Sequence, residues 1–155
     1  MRALVLTISD RASKGVYEDK SGPEIERILI ANFPEIEVTR EIIPDSKEII
    51  QERFTLNLNK DLILTTGGTG IGPRDVTPEA TDLFCDRHIP GIGEYLRRES
   101  CNQTTNAVLS RGSAGIKGKT IIINLPGSVK GVIFCTELLV PILPHAFKMI
   151  SGEGH

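Results

Sequence analysis

Tryptophan is absent from this 155-residue chain, and aromatic residues together make up only 5%. Platforms for stacking bases are therefore scarce. Basic charge is not in excess either: 18 Lys and Arg face 20 Asp and Glu, a net charge of −2 with His neutral. A dedicated nucleic-acid binder needs a basic surface, so no nucleic-acid partner is expected. No apolar run approaches the roughly 18 residues that a membrane-spanning helix needs. The most apolar late stretch, Leu138 to Leu143, is broken by Pro141 and followed by Pro144. The opening MRALVLTISD turns polar too soon for a signal peptide. A soluble cytoplasmic protein is expected, with no membrane contact.

Cysteine is also sparse. Cys85, Cys101 and Cys135 are odd in number and widely spaced, so no disulfide framework, CxxC pair or zinc pattern follows. Small buried hydrophobes in a reducing compartment are expected instead. His88, His145 and His155 show no ligand spacing. What remains is ordinary globular material: 39% apolar, 25% charged, 15 Gly and 9 Pro. The length suits one domain over residues 1–155, burying roughly 68–70% of its unfolded surface.

Hydrophobic patterning gives the order of elements. Ala3 to Ser9 (ALVLTIS) reads as a buried strand, followed by a polar loop from Asp10 to Lys20. Ser21-Gly22-Pro23-Glu24 has the form of a capping box. Ile25, Ile28, Leu29 and Phe33 supply a helical stripe that Pro34 closes. Glu35 to Ile43 alternates as a second strand. Asp45 or Ser46 can cap the next helix, with Ile49, Ile50, Phe54 and Leu58 on its apolar face. Asp61 to Thr66 (DLILTT) is apolar without alternation, as a strand covered on both faces should be.

Thr77 and Pro78 fit N-cap and first helical position of a further helix. Gly91 to Glu99 suits a short one. Ala107 to Ser110 and Thr120 to Leu125 (TIIINL) read as strands joined by a Gly-rich segment from Arg111 to Lys119. Pro126-Gly127-Ser128 opens a last helical region interrupted near Pro141 and Pro144. The alternation points to an α/β fold, a three-layer α/β/α sandwich around a mostly parallel sheet.

In such sheets ligands bind beyond the carboxyl ends of the strands. Three of those ends carry unusual residues: Ser9-Asp10-Arg11, Thr66-Gly67-Gly68-Thr69-Gly70, and Pro126-Gly127-Ser128. Four glycines between Gly67 and Gly72 suit close approach of backbone N–H groups to an anion, because flexibility of that density costs stability. For Pro126-Gly127 alone, a tight turn and a ligand contact remain equally open.

Standard motifs do not fit. Ser113 to Thr120 (SAGIKGKT) has Ser where a P-loop needs Gly, and leads into a strand. Gly70 to Asp75 ends a GxGxxG pattern in Asp, and no GxSxG elbow is present. Asp45 and Asp75 both fall at the carboxyl edge of the sheet. Paired carboxylates beside bound phosphates suit Mg²⁺, although Asp at a helix start is commonly just a cap, as Asp45 would be, and Asp75 could cap locally where Thr77 fits better. Of Arg11, Arg74, Arg111, Lys117 and Lys119, only Arg74 stands out from ordinary surface charge, because it lies between the loop and Asp75.

The order Ser9-Asp10-Arg11-Ala12-Ser13, Asp19-Lys20-Ser21-Gly22-Pro23, Ile43-Pro44-Asp45, LTTGGTGIGPRDVTPEAT from Leu64 to Thr81, Ala107-Val108-Leu109-Ser110-Arg111 and Asn124-Leu125-Pro126-Gly127 resembles the MogA/MoaB-type molybdopterin adenylyltransferases and the gephyrin G domain. The likeness covers nearly the whole chain, and the TGGTG…PRDVTPEAT block is its most specific part. It implies a usually trimeric α/β/α sandwich that adenylylates molybdopterin with ATP and Mg²⁺ as part of molybdenum cofactor biosynthesis. Its essential aspartates would be Asp45 and Asp75, both catalytic and metal-holding. Its nucleotide loop would be Thr66, Gly67, Gly68, Thr69 and Gly70, with Ser9, Asp10, Pro126, Gly127 and Ser128 beside it and Ser110 toward the pterin.

Molybdopterin, ATP, further copies of the chain and a molybdate-insertion enzyme are the partners so implied. The chain departs from the pattern after Pro126-Gly127, where Ser128-Val129-Lys130-Gly131 replaces the usual Asn-Pro or Gln-Pro. It also lacks the long insertion that some bacterial members carry there. A non-catalytic molybdopterin-binding or scaffolding module is the alternative role. The related molybdate-insertion and nicotinamide-nucleotide domains fit less well, since their first strand leads to a GDE- or GTE-type segment instead of Ser9-Asp10-Arg11.

Overall fold

A computed structural model describes residues 1–153 of the chain, so His155 lies outside the described residues. The first half runs β1 (Arg2–Ile8), α1 (Asp10–Ser13), α2 (Ser21–Asn32), β2 (Glu37–Ile43), α3 (Lys47–Leu56) and β3 (Leu62–Thr66). The second runs α4 (Thr77–Phe84), β4 (Arg87–His88), α5 (Pro90–Ser100), a 3-10 turn (Thr105–Leu109), β5 (Ala114–Lys117), β6 (Thr120–Leu125), α6 (Val129–Leu139) and α7 (Leu143–Ser151). The strands form one sheet in the order β2-β1-β3-β6-β5-β4. β2, β1, β3 and β6 are mutually parallel, while β5 is antiparallel to both neighbours. Among the described residues no single helix is long and apolar enough to cross a membrane.

The unbroken apolar runs have a simple cause. Successive strand side chains point to opposite faces, and both faces are covered. Ala3, Val5, Leu62, Leu64, Ile121 and Ile123 pack with Ile25 and Leu29 of α2 and Val132 and Leu139 of α6. Leu4, Leu6, Ile63 and Ile122 pack on the other face with Ile50 and Phe54 of α3 and Ala80 of α4. Each fully buried Leu or Ile here contributes roughly 1.5–3 kcal/mol relative to exposure. The result is the three-layer sandwich that the alternation of elements predicts. Edge strand β2 is mostly exposed and charged, with Arg40 paired to Glu26 of α2 at 2.6 Å. Charge on an edge discourages further strand pairing.

Several local expectations are corrected. The polar loop after β1 contains a helical turn, α1, because the Ser9 hydroxyl accepts the Ala12 N–H. Ser21 does not cap α2. Asp19 does, accepting the N–H groups of Ser21 and Gly22 at 3.1 and 3.0 Å, while the Ser21 hydroxyl donates to the Gly127 carbonyl. Thr77 begins α4 without capping it, and its hydroxyl donates to the Gly67 carbonyl instead. Ala107 to Ser110 is no strand: Thr105–Leu109 is a 3-10 turn on which Val108 and Leu109 are exposed. The missing strand is β5, inside the segment expected to be a connector. Leu58 falls beyond the end of α3 and is exposed, so it joins no apolar face.

The sheet order creates one special edge. From β1 the chain crosses outward to β2, whereas β3 lies on the other side of β1. The loops after β1 and β3 therefore diverge and leave a crevice at their carboxyl ends, the usual place for a ligand in an open α/β sheet. β6 lies beside β3 and adds its own carboxyl-end turn to the same crevice.

Candidate active site

The loop leaving β3 forms the floor of that crevice. Gly67 and Gly68 have φ of +98° and +67°, a region where side chains are strained. A Cβ on Gly67 would collide with the Ile8 carbonyl, so β1 and the loop pack backbone to backbone. Thr77 pins the turn from α4, its hydroxyl on Gly67 O at 2.9 Å and its N–H on Gly68 O at 3.1 Å. From β6, Pro126 O accepts the Thr66 hydroxyl at 2.7 Å. Gly127 lies so close to Gly67 that a Cβ there would sit 3.4 Å from the Gly67 Cα. The bare backbone is thus held open by ties at its flanks.

Two carboxylates border this loop. Asp45 is not the cap of α3; Ser46 takes that position through the Ile49 N–H, leaving the Asp45 carboxylate directed to the crevice. A Cβ on Gly68 would lie 3.0 Å from Asp45 Oδ1, and one on Gly70 would lie 2.9 Å from Asp75 Oδ2. The glycine loop therefore brings together two aspartates thirty positions apart. Asp75 Oδ2 accepts the Gly72 N–H at 2.8 Å.

Asp45 is braced by Asp10. Asp10 N–H donates to Asp45 Oδ2 at 2.8 Å, and Asp45 N–H donates to Asp10 Oδ1 at 3.0 Å. Arg74 closes the group through Nε to Asp10 Oδ2 at 2.9 Å and Nη2 to the Asp45 carbonyl at 3.0 Å. Hydrogen bonding from Arg74 holds the Asp10 carboxyl below its ordinary range. Burial, reinforced by the Asp10 and Asp75 charges, pushes Asp45 above it. A half-buried carboxylate near a like charge is a ready partner for a cation.

Two hollows meet here. The smaller, about 210 Å³, is walled by Ser9, Ser21, Asp45, Thr66 and Gly67. The larger, about 510 Å³, runs between α5, the 3-10 turn and α6, past Leu96, Arg97, Ser110, Asn124 and Cys135. Gly68, Asp75 and Gly127 border both. Thr69, Gly70, Pro126 and Ser128 face the larger. Ser128 also caps α6 through the Gly131 N–H. Asp10 borders neither hollow and acts on the site through Asp45.

Among the described residues no three His, Cys, Asp or Glu side chains cluster as a metal cage. A pair of carboxylates beside a glycine loop whose N–H groups at Gly68 to Gly70 are unengaged among the described residues fits Mg²⁺, which completes its shell with phosphate oxygens and water. His88 and His145 join no such cluster. Burial pushes the Cys85 thiol up to about 11 and raises Cys135 as well, so both are poor nucleophiles.

Sequence reasoning missed several supports. Arg111, grouped with ordinary surface charge, donates Nε to Gly70 O at 2.8 Å and Nη2 to Asp75 O at 2.9 Å, and pairs with Glu79. Asn124 donates to the Thr65 and Thr81 hydroxyls and accepts from Ser113, joining β3, α4 and the turn before β5. Lys117, by contrast, pairs with Asp86 away from the site. Arg11 lies over the Tyr17 ring at the rim of the smaller hollow. In the sequence only the Ala107 to Arg111 segment, part of the family resemblance through Ser110, pointed toward Arg111.

Residues 4–145 match the family model described as "Probable molybdopterin binding domain". The chain is 43% identical over 153 residues to the molybdopterin adenylyltransferase of Helicobacter pylori, covering 96% of this chain and 87% of that protein. MoaB of Thermus thermophilus, a molybdopterin biosynthesis enzyme, has a TM-score of 0.89 at 42% identity over 97% of this chain and 96% of its own. A MogA structure gives 0.91 at 38% identity over 97% and 99%. With the matched residues spanning the glycine loop, both aspartates and nearly all of the sheet that carries them, the chain belongs to the molybdopterin-binding domain family of molybdenum cofactor biosynthesis.

Proposed function

We propose that the chain is a molybdopterin adenylyltransferase. A terminal phosphate oxygen of molybdopterin bonds to the α-phosphorus of ATP, the bond from that phosphorus to the bridging oxygen breaks, and pyrophosphate leaves. The observation that carries this reading is the junction of two hollows at Gly68, Asp75 and Gly127, flanked by Asp45 and Asp75. Two substrates that exchange a phosphoryl-linked group need adjacent pockets with charge control at the seam. Identity above 40% to a protein named for this reaction supports it.

Little covalent work falls to the protein in such a transfer; holding the reactants in line and countering charge does most of it. The N–H groups of Gly68 to Gly70 and the hydroxyl of Ser9 suit phosphate oxygens, while Thr66 and the Gly67 N–H, spent on the Pro126 and Leu125 carbonyls, shape the loop that presents them. Asp10 keeps Asp45 in place. The larger hollow, with apolar Leu96 beside Arg97, Ser110 and Asn124, suits a pterin with polar edges. Gly68, Asp75 and Gly127 form the seam between them, with Thr69, Pro126 and Ser128 on its larger side. Asp45 and Asp75 would hold Mg²⁺, which when bound neutralises phosphate charge. The same reading makes the chain a cytoplasmic homotrimer that hands its product to a molybdate-insertion enzyme; light scattering tests the trimer.

The test is pyrophosphate release on mixing the chain with molybdopterin, ATP and Mg²⁺. The reading expects stoichiometric adenylylated molybdopterin. Tight binding of molybdopterin with no pyrophosphate would instead assign the chain to the non-catalytic module.

A further inference from the structure

Arg111 joins the two hollows although it lines neither, and its donors all reach one stretch of chain. Its backbone N–H donates to Thr69 O at 2.8 Å, Nε to Gly70 O and Nη2 to Asp75 O, and Nη1 meets Glu79. The turn that carries it is gripped from the other side by α5. Arg97 Nη1 donates to Ser110 O at 3.2 Å and Gly112 O at 2.8 Å. Gly93 lets α5 come this close, since a Cβ there would sit 2.7 Å from Gly112 O.

The loop needs such a fastening. Its glycines at positive φ have the widest conformational freedom in the unfolded chain, and among the described residues the Asp75 carboxylate accepts a hydrogen bond from Gly72 of the same loop alone. A planar guanidinium can span two carbonyls and a carboxylate in one fixed geometry, which an ammonium cannot. Ser110, immediately before Arg111, borders the larger hollow with Arg97. Any shift of this turn is therefore passed through Arg111 to Asp75.

We propose that Arg111 is a positioning residue: it fixes the backbone of Gly70 and Asp75 and ties the placement of Asp75 to the Ser110 turn of the larger hollow. The consequence for AMP transfer rests on the function proposed above; the fastening itself does not. Arg111 touches no reacting atom and acts through Asp75.

Hydrogen exchange and kinetics on the full chain test this with Arg111→Gln and Arg111→Lys. In Arg111→Gln the amides from Gly67 to Val76 should exchange at least about tenfold faster while those of α2 are unchanged. The Mg²⁺ concentration for half-maximal pyrophosphate release should rise about tenfold and kcat fall about a hundredfold, with KM for molybdopterin within about twofold. Arg111→Lys retains the positive charge toward Glu79, so it guards against a folding failure; it should keep the thermal midpoint yet retain the Mg²⁺ defect.

Unchanged loop exchange in folded Arg111→Gln, or full recovery of the Mg²⁺ dependence in Arg111→Lys, overturns the proposal. Faster loop exchange alongside an inactive wild type would sustain the fastening and sink the proposed reaction. Normal exchange in the variants of an active wild type would do the reverse.

Discussion

The two hollows share one seam and differ in almost everything else. The smaller is lined by short hydroxyl side chains, bare glycine backbone and the half-buried Asp45 carboxylate. The larger mixes Leu96, Ala107 and Cys135 with Arg97, Asn124 and Ser110. The first is built around charge and can accept an anion only where N–H groups and a cation meet it. The second offers apolar contact with a few polar groups, as a site for a flat heterocycle should. The difference teaches that recognition and charge control are divided between separate strand ends, and that Asp75 belongs to both.

Removing charge at the seam should have the largest effect. Asp75→Asn should abolish pyrophosphate release, a loss of at least about a thousandfold, while molybdopterin still binds; this is the scale of losing a group that acts mainly on transition-state charge. Turnover near the wild-type rate would remove Asp75 from the reaction. Gly68→Ala should follow. Its Cβ would meet the Thr77 hydroxyl and Asp45 at a positive φ, so a stability loss above roughly 1 kcal/mol is expected with weakened ATP·Mg²⁺ binding, read by calorimetry.

The contrast between hollows is sharpened by Gly93→Ala. Its added Cβ presses on Gly112 O beside the larger hollow. KM for molybdopterin should rise about tenfold, with a smaller rise of about threefold in the Mg²⁺ requirement as the displaced turn pulls on Asp75 through Arg111. An equal loss of both affinities would show the hollows to be one unit.

The smallest effect concerns stability and pH. Burial raises the Asp45 pKa in the folded chain, so its ionised form is disfavoured there relative to the unfolded chain. Folding therefore carries a cost that is complete above the raised pKa and vanishes below the ordinary carboxylate range. Asp45→Asn should accordingly lose activity yet melt slightly higher than the wild type at pH 7. The gain should disappear as the pH falls through the carboxylate range. A lower melting point at neutral pH would contradict the burial argument.

Much of this was legible from the residues. β1, β3 and β6 are runs of Val, Ile, Leu and Thr whose only stable home is between two helical layers, and the glycine block had no use as a mere turn. Placing Asp45 and Asp75 on one sheet edge needed only the strand assignments. Other features depended on contacts that pattern cannot carry. Ala107-Val108-Leu109 looks like a strand because it is apolar, yet Val108 and Leu109 remain exposed on a 3-10 turn.

β5 holds a glycine that sequence preference disfavours, but Cys85 packs so tightly there that no Cβ fits. The Ser21 hydroxyl serves a carbonyl 106 positions away, which no local capping rule anticipates. Arg111 resembles any surface arginine until the fold sets three loop acceptors around it.

The most direct test is a crystal of the chain grown with ATP and Mn²⁺ in place of Mg²⁺, with the metal located by its anomalous signal. The account predicts one metal peak between the Asp45 and Asp75 carboxylates and phosphate density over the N–H groups of Gly68 to Gly70. A metal bound elsewhere, or a nucleotide seated away from that glycine bed, would contradict it.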